Sequence, residues 1–305
     1  MPGAVAWRKP WPPPALAPKS LVNKQENTPR HDCRVHAIPG WLDARRLLGP
    51  GDWRFEVTPG LEERGALSAK AQLPREQAAD LAARLRGVGL DGQPLLVELE
   101  PALPRGALRA GRTRDARARR ETTPGFTRRD ARCDDEGRMY LTPEMLALKM
   151  ARSAGGRRVV DAGCGVGGNA IAFAREGCEV LAIERDGERA KLAAHNARVY
   201  GVAKRVRVET GDAVQRIQDM LDENLEDTLL FCDPPWGAQW DRQRTSLDDF
   251  PLLQQLLELR GAFHALWAKL PPSFETQSWP AAEPSAFFGE AEGDRRRVKF
   301  VLMRG

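Results

Sequence analysis

From residue 142 to the end of the chain, apolar positions fall into short runs that switch between helical and strand spacing. "TPEMLALKMARSAGG" predicts a helix with a Thr-Pro start and a glycine stop. "RRVVDAG" reads as a strand, "GNAIAFAREG" as a helix, "EVLAIER" as a strand, "GERAKLAAHNARVYGV" as a helix and "VRVETG" as a strand. The same alternation continues through the helix "AVQRIQDMLD", the strand "TLLFCD", the helix "PLLQQLLELRG" and the strands "AFHALWAKL" and "RRRVKFVLMRG". Strands and helices taking turns predict an α/β fold, a doubly wound and mostly parallel sheet with helices on both faces.

Upstream the pattern changes. Residues 1–40 are proline-rich without apolar period and read as a disordered arm, in which Trp7 and Trp11 are unusual. Residues 41–125 read as a small accessory α/β unit followed by an arginine-rich linker. In it "DWRFEV" and "PLLVELE" are strand-like around the helix "PREQAADLAARLRGVG", giving the order β-α-β. Residues 126–305 form the large domain. The stretch 105–132 holds ten arginines against three acids. It is either a solvated, partly helical linker or a strip that grips phosphates, since arginine forks match phosphate oxygens.

Composition narrows the setting. The 305 residues, 42% hydrophobic with net charge +5, can build one large domain plus a smaller one and permit an anionic partner. Five scattered cysteines show no metal-ligand spacing, so no metal is expected and the thiols read as reduced packing residues of a cytoplasmic protein, or a nuclear one in a eukaryote. No apolar run is long enough for a membrane helix. Oligomeric state leaves no trace in the sequence.

Four stretches bring chemistry into this pattern. In "VVDAGCGVGGNA", Asp161 ends a strand and Gly163, Gly165 and Gly167 lead into a helix. Such a turn lets a ligand approach the backbone, and Asp161 can take an amino group directly or through water. No Lys-Ser/Thr pair follows, which excludes a nucleotide triphosphatase loop. Glu184 ends the next strand 21 residues after Gly163, where an acid can accept both ribose hydroxyls of a dinucleotide or of S-adenosylmethionine. Asp212 follows the third strand, in place to accept from an adenine amino group. The fourth stretch, "LLFCDPPWGAQW", runs a buried strand into Asp233, Pro234, Pro235 and Trp236. A strand stop alone needs no acid and no indole. An aryl amine is a poor nucleophile; the Asp233 carboxylate and a proline-stiffened Pro234 carbonyl can accept its hydrogens while Trp236 stacks on the ring. His195 reads as a surface or packing histidine, and Lys269 as either a wall of the substrate side or an inert loop residue.

Taken together, "EGRMYLTPEMLALKMA", "VVDAGCGVGGNAIAFA", "NARVYGVAKRVRVETGD" and "FCDPPWG" resemble the class I S-adenosylmethionine-dependent methyltransferases, and among them the trimethylguanosine synthase family of RNA cap guanine-N2 methyltransferases. The resemblance runs from about residue 126 to 240. It implies a Rossmann-like sheet, S-adenosylmethionine at Asp161, Gly163, Gly165, Gly167, Glu184 and Asp212, and a guanine on Trp236 beside Pro235. It further implies that Thr142 and Pro143 shape the cofactor mouth, that Asn169 lies near the methionine end, and that the stretch around Phe126 closes over cofactor and base. RNA is the implied partner and guanine N2, in a 7-methylguanosine cap or structured RNA, the implied target. Two departures bear on the substrate: the residue at position 233, and residues 41–104, which match no part of the family. The family usually has serine where this chain has Asp233, and its "GGPDY" is here "GAQWDRQ", with Trp240 a candidate for the tyrosine's place. An aspartate there is commoner in enzymes that methylate guanine N2 or adenine N6 in ribosomal RNA, tRNA or DNA. The alternatives are therefore an adenine-N6 or other amino methyltransferase, and a non-catalytic RNA-binding subunit with the same fold.

Overall fold

The computed structural model describes residues 29–237 and 240–305. Most of the expected arm, with Trp7 and Trp11, lies outside the described residues. The first unit comprises β1 (Arg30–Ile38), α1 (Ala44–Leu48), β2 (Arg54–Val57), β3 (Leu67–Pro74), α2 (Arg75–Leu85), β4 (Gly89–Leu90), β5 (Gln93–Pro94), β6 (Leu96–Glu100) and α3 (Arg105–Ala118). Its sheet has the order β2-β3-β1-β6 and every neighbouring pair is antiparallel. This corrects two expectations. The unit starts at Arg30, inside the presumed arm, and its sheet contains two strands beyond the expected β-α-β. Strand β1 buries His31, Cys33 and Val35 at alternate positions, and His31 Nδ1 lies 2.6 Å from the Pro101 carbonyl oxygen. Strand β3 points Ala69, Ala71 and Leu73 inward. Helix α3, in the arginine-rich stretch, lies against α2 with Gly111 at the crossing, where a Cβ would stand 2.5 Å from the Ala79 carbonyl oxygen. Only glycine permits that approach.

The second unit runs α4 (Asp135–Tyr140), α5 (Glu144–Arg152), β7 (Arg158–Ala162), α6 (Gly168–Arg175), β8 (Glu179–Glu184), α7 (Gly187–Val199), β9 (Val206–Thr210), α8 (Ala213–Gln218), β10 (Thr228–Cys232), α9 (Pro251–Leu259), β11 (Ala265–Leu270), β12 (Glu283–Phe288) and β13 (Val298–Arg304). The sheet order is β12-β13-β11-β10-β7-β8-β9. Strands β11, β10, β7, β8 and β9 pair in parallel, while β13 runs antiparallel to both β11 and β12. Apolar clusters fill both faces, one around Phe173, Phe231 and Phe300 and the other around Phe250, Leu266 and Phe274. This is the doubly wound, class I methyltransferase arrangement. The chain goes outward from β7 through β8 to β9 and returns to β10 on the other side of β7. The order therefore reverses between β7 and β10, and ligands of such sheets bind at the carboxyl ends of strands flanking that switch.

The two units share a long seam. Phe288 of β12 belongs to the core of the first unit. The Asp91-Gly92 turn between β4 and β5 has positive φ at both residues, as a tight hairpin turn of that composition requires. It sits against the loop after β11: Asp91 N–H donates to the Pro272 carbonyl, and Asp91 Oδ1 accepts the Thr276 N–H at 2.7 Å. Glu275 in the same loop accepts from Arg64 at 2.6 Å and from Arg244 at 2.9 Å. At the other end, the buried Asp294 accepts from the Thr123 backbone and hydroxyl, both at 2.8 Å. Thr123 begins the segment that lines the cavity described next.

Candidate active site

A cavity of about 1040 Å³ opens at the switch point. Its lining includes Gly163, Gly165, Glu184, Asp212, Asp233, Pro234, Pro235, Trp236, Pro143 and Phe126. The four chemical stretches, separate in sequence, thus face one space. The glycine turn after β7 bares backbone to it. Gly163 and Gly165 have φ of +89° and +56°, and a Cβ on Gly165 would meet no atom within 4 Å, pointing into open room. Glu184 ends β8 and is almost fully buried; its oxygens accept from Gly165 N at 2.8 Å and Asp186 N at 2.9 Å. The acid that would hold a ribose therefore also fixes the turn above it. Asp212 caps α8, accepting from Gln215 N at 3.1 Å through Oδ1, and stays exposed on the cavity wall.

Four expected cofactor residues stand behind this lining instead of on it. Gly167 is the left-handed start of α6 and lies against Ala193. Asn169 and Thr142, both buried, turn toward the stretch after β10: Asn169 Nδ2 donates to Asp233 Oδ2 at 2.9 Å and Thr142 Oγ1 donates to the same oxygen at 3.4 Å. Asp161 is wholly buried in β7, and neither of its carboxylate oxygens has a hydrogen-bond partner among the described residues. Burial, then the nearby negative charges of Asp233 and Glu184, push its carboxyl well above the usual range. An ammonium reached through water would supply the missing donor, which fits a ligand carrying an amino group. The bare glycines and the acid of β8 fit the ribose of the same ligand.

The sequence singled out Asp233 to Trp236 but left Lys269 undecided. At the end of β11, Lys269 is 5% exposed and its Nζ lies 2.6 Å from Asp233 Oδ2. The same ammonium lies over the Trp236 ring, 5.2 Å from its centroid, and Trp236 Nε1 donates to the Lys269 carbonyl at 3.4 Å. Trp240 meets Trp236 edge-on at 5.7 Å. Asp233 and Trp236 are thus both positioned by a lysine 36 and 33 residues away.

A second missed set holds the cavity's upper wall. Tyr200 Oη donates to Glu144 Oε2 at 2.6 Å, and the Thr127 backbone and hydroxyl both donate to that oxygen at 2.8 Å. Burial works against an ionised Glu144, yet the hydrogen bonds from Tyr200 and Thr127, with Arg175, hold its carboxyl below the usual range. Phe126 packs on Tyr200 with centroids 5.5 Å apart. The buried Asn196 donates to the carbonyls of Arg132 and Val166 and accepts the Arg132 N–H, so it ties this wall to the glycine turn. His195 Nε2 lies 3.0 Å from the Asp130 carbonyl, a packing role. The signal for this set was the "NARVYG" string, whose asparagine and tyrosine both reach the wall.

Among the described residues no helix is long and apolar enough to cross a membrane, and no group of three or more histidine, cysteine or acidic side chains is placed to hold a metal ion. Residues 156–259 match the family model described as RNA cap guanine-N2 methyltransferase. The chain is 34% identical over 103 residues to the trimethylguanosine synthase of Schizosaccharomyces pombe, covering 32% of this chain and 43% of that protein. It is 30% identical over 109 residues to the trimethylguanosine synthase of Saccharomyces cerevisiae, covering 34% and 35%. A 23S rRNA (uracil(1939)-C(5))-methyltransferase of Acidithiobacillus ferrooxidans is 34% identical over 93 residues, covering 30% and 21%. The chain spans less than half the length of each of these curated relatives. Matched sequence, sheet order and the cavity at the switch point agree: the chain carries a class I S-adenosylmethionine-dependent methyltransferase domain that resembles those of the RNA cap guanine-N2 methyltransferases.

Proposed function

We propose that the protein methylates an exocyclic amine of RNA, the N2 of guanine. The observation that carries this reading is that Asp233, Pro234 and Trp236 face the same cavity as Gly163, Gly165 and Glu184. S-adenosylmethionine, when bound, supplies a methyl group on a sulfonium whose departure leaves a neutral thioether. What remains for the protein is positioning and electrostatics. Asp233 and the Pro234 carbonyl accept the amine hydrogens and turn its lone pair out of conjugation. Asp233 is also the nearest carboxylate for the proton the amine loses once the new bond has formed. Trp236 and Pro235 hold the base, and the Phe126 wall excludes water. Gly163, Gly165, Glu184 and Asp212 hold the nucleoside of the cofactor, while Asp161 answers its amino group through water. Gly167 shapes the turn, and Asn169, Thr142 and Pro143 set Asp233 and the mouth. The matches to trimethylguanosine synthases support guanine as the base. Adenine N6 in ribosomal RNA, tRNA or DNA is the second reading, since an aspartate rather than a serine at position 233 suits it as well as it suits guanine N2.

The test is methyl transfer from labelled S-adenosylmethionine to RNA and to cap analogues, with nucleoside analysis of the product. N2-methylguanosine is expected. Trp236→Ala should lower the yield by about fivefold or more, since base–aromatic stacking contributes about 1–3 kcal/mol. Label found on adenine N6, or none while S-adenosylmethionine still binds, overturns the guanine assignment.

A further inference from the structure

The surroundings of Trp236 bear on which guanine the site accepts. An indole face attracts cations through its negative quadrupole, and this is how aromatic sites favour positively charged ligands. Here that property is already in use. The Lys269 ammonium, almost fully buried, lies over the Trp236 ring at 5.2 Å and near Phe300 at 5.5 Å. The one carboxylate beside the ring does not restore the balance for a second cation. Asp233 Oδ2 takes Lys269, Asn169 and Thr142 together, so the charge of Asp233 is matched from within the protein. None of these three donors occupies Oδ1, which is what a neutral amine needs. Along the whole lining, basic side chains outnumber acidic ones by seven to four. Such a wall suits the phosphates of a strand.

Resting on the guanine-N2 reading, we infer that the base taken by this site is uncharged: a guanine with unsubstituted N7 within an RNA strand, in preference to the cationic 7-methylguanine. Lys269 is the specificity-determining residue. Its ammonium occupies the place where a cation-accepting site would leave the indole and the acid free. A neutral guanine stacks on Trp236 and gives its two amino hydrogens to Asp233 Oδ1 and the Pro234 carbonyl without adding a like charge near Lys269.

The experiment uses the full chain with S-adenosylhomocysteine for binding and labelled S-adenosylmethionine for transfer. The probes are two short RNA strands of identical sequence, one with a single interior guanosine and one with 7-methylguanosine at that place. The guanosine strand is expected to bind at least about tenfold more tightly, the scale of one close charge interaction, and to carry the N2 label. Lys269→Met, which keeps the stem and removes the charge, should shrink that ratio toward one. If Lys269→Met does not fold, the wild-type ratio decides alone. Equal or tighter binding of the 7-methylguanosine strand, with N2 labelling, overturns the inference and leaves the amine reading standing. Binding and labelling of neither strand, while S-adenosylhomocysteine binds, overturns the guanine reading and this inference with it.

Discussion

Asp161 carries a pH signature of its own. Its carboxyl is buried without a hydrogen-bond partner and held well above the usual range by burial and by Asp233 and Glu184. In the unfolded chain it titrates near 4, so between that value and its raised folded value the native state binds more protons than the unfolded one. Stability from this group is therefore full below about pH 4 and is lost as pH rises. Asp161→Asn removes the titration. Without cofactor, the variant should gain stability relative to the wild type as pH rises from 5 to 8. Urea denaturation at the two pH values reads this directly, and parallel curves would sink it. The same variant should lose affinity for S-adenosylmethionine. Residues of this kind were only half legible in the sequence. Asp161, Glu184 and Asp233 stand out because each ends an apolar run, a local signal. Their partners do not: Lys269 reaches Asp233 across two neighbouring strands, and nothing in "AKLPPSF" distinguishes a buried ion pair from a solvated lysine. Asn169 and Thr142 were named through the resemblance as candidate cofactor residues and not as donors to Asp233, because that depends on how α6 and the start of α5 meet the end of β10.

At the level of elements, legibility followed the strength of the apolar period. Strands β7, β8 and β10 are continuous apolar runs and were read correctly. Strand β1 was missed because two of its three inward positions up to Val35 are His31 and Cys33. Strand β3 was missed because two of its three inward residues, Ala69 and Ala71, are small, and β12 because Pro284 and Ser285 interrupt it; an edge strand tolerates both. The wall over the cavity illustrates a different limit, since an irregular segment has no period to read. What holds residues 126–132 is hydrogen bonding from helices α5 and α7, above all the Tyr200 hydroxyl, which donates to Glu144 and accepts from the Thr127 and Arg128 amides. Tyr200→Phe removes those bonds and leaves Phe126 its ring. The expected cost is about 1–3 kcal/mol locally, seen as faster tryptic cleavage after Arg128, Arg129 and Arg132 and a raised KM for S-adenosylmethionine. Unchanged cleavage would show that the wall is held by packing alone.

For the whole molecule, the proposed function requires a path by which a strand of RNA would reach the cavity. The basic lining continues out of the cavity along residues 128–129 and back through the 119–123 segment to α3, whose arginines are largely exposed. The sequence showed this strip as a charge run with two equal readings; the fold separates its members. Arg114 pairs with Asp80, and Arg119 with Asp115, which also holds Arg297 of the second unit. Those arginines serve the packing of α3, and replacing them would confound structure with binding. Arg117 and Arg120, like Arg105, Arg109 and Arg112 of α3, are exposed and make no ion pair among the described residues, so they are available to phosphates, and the first two lie nearest the cavity along the chain. Reversing both to glutamate should weaken RNA binding uniformly across sequences and reduce the slope of log affinity against log salt by about one for each phosphate no longer neutralised. The melting temperature and S-adenosylmethionine affinity should stay as they are, because neither residue touches the cavity. An unchanged affinity and salt slope would remove Arg117 and Arg120 from the RNA path and leave Arg128, Arg129 and Arg138 at the cavity mouth as the route by which the phosphates approach.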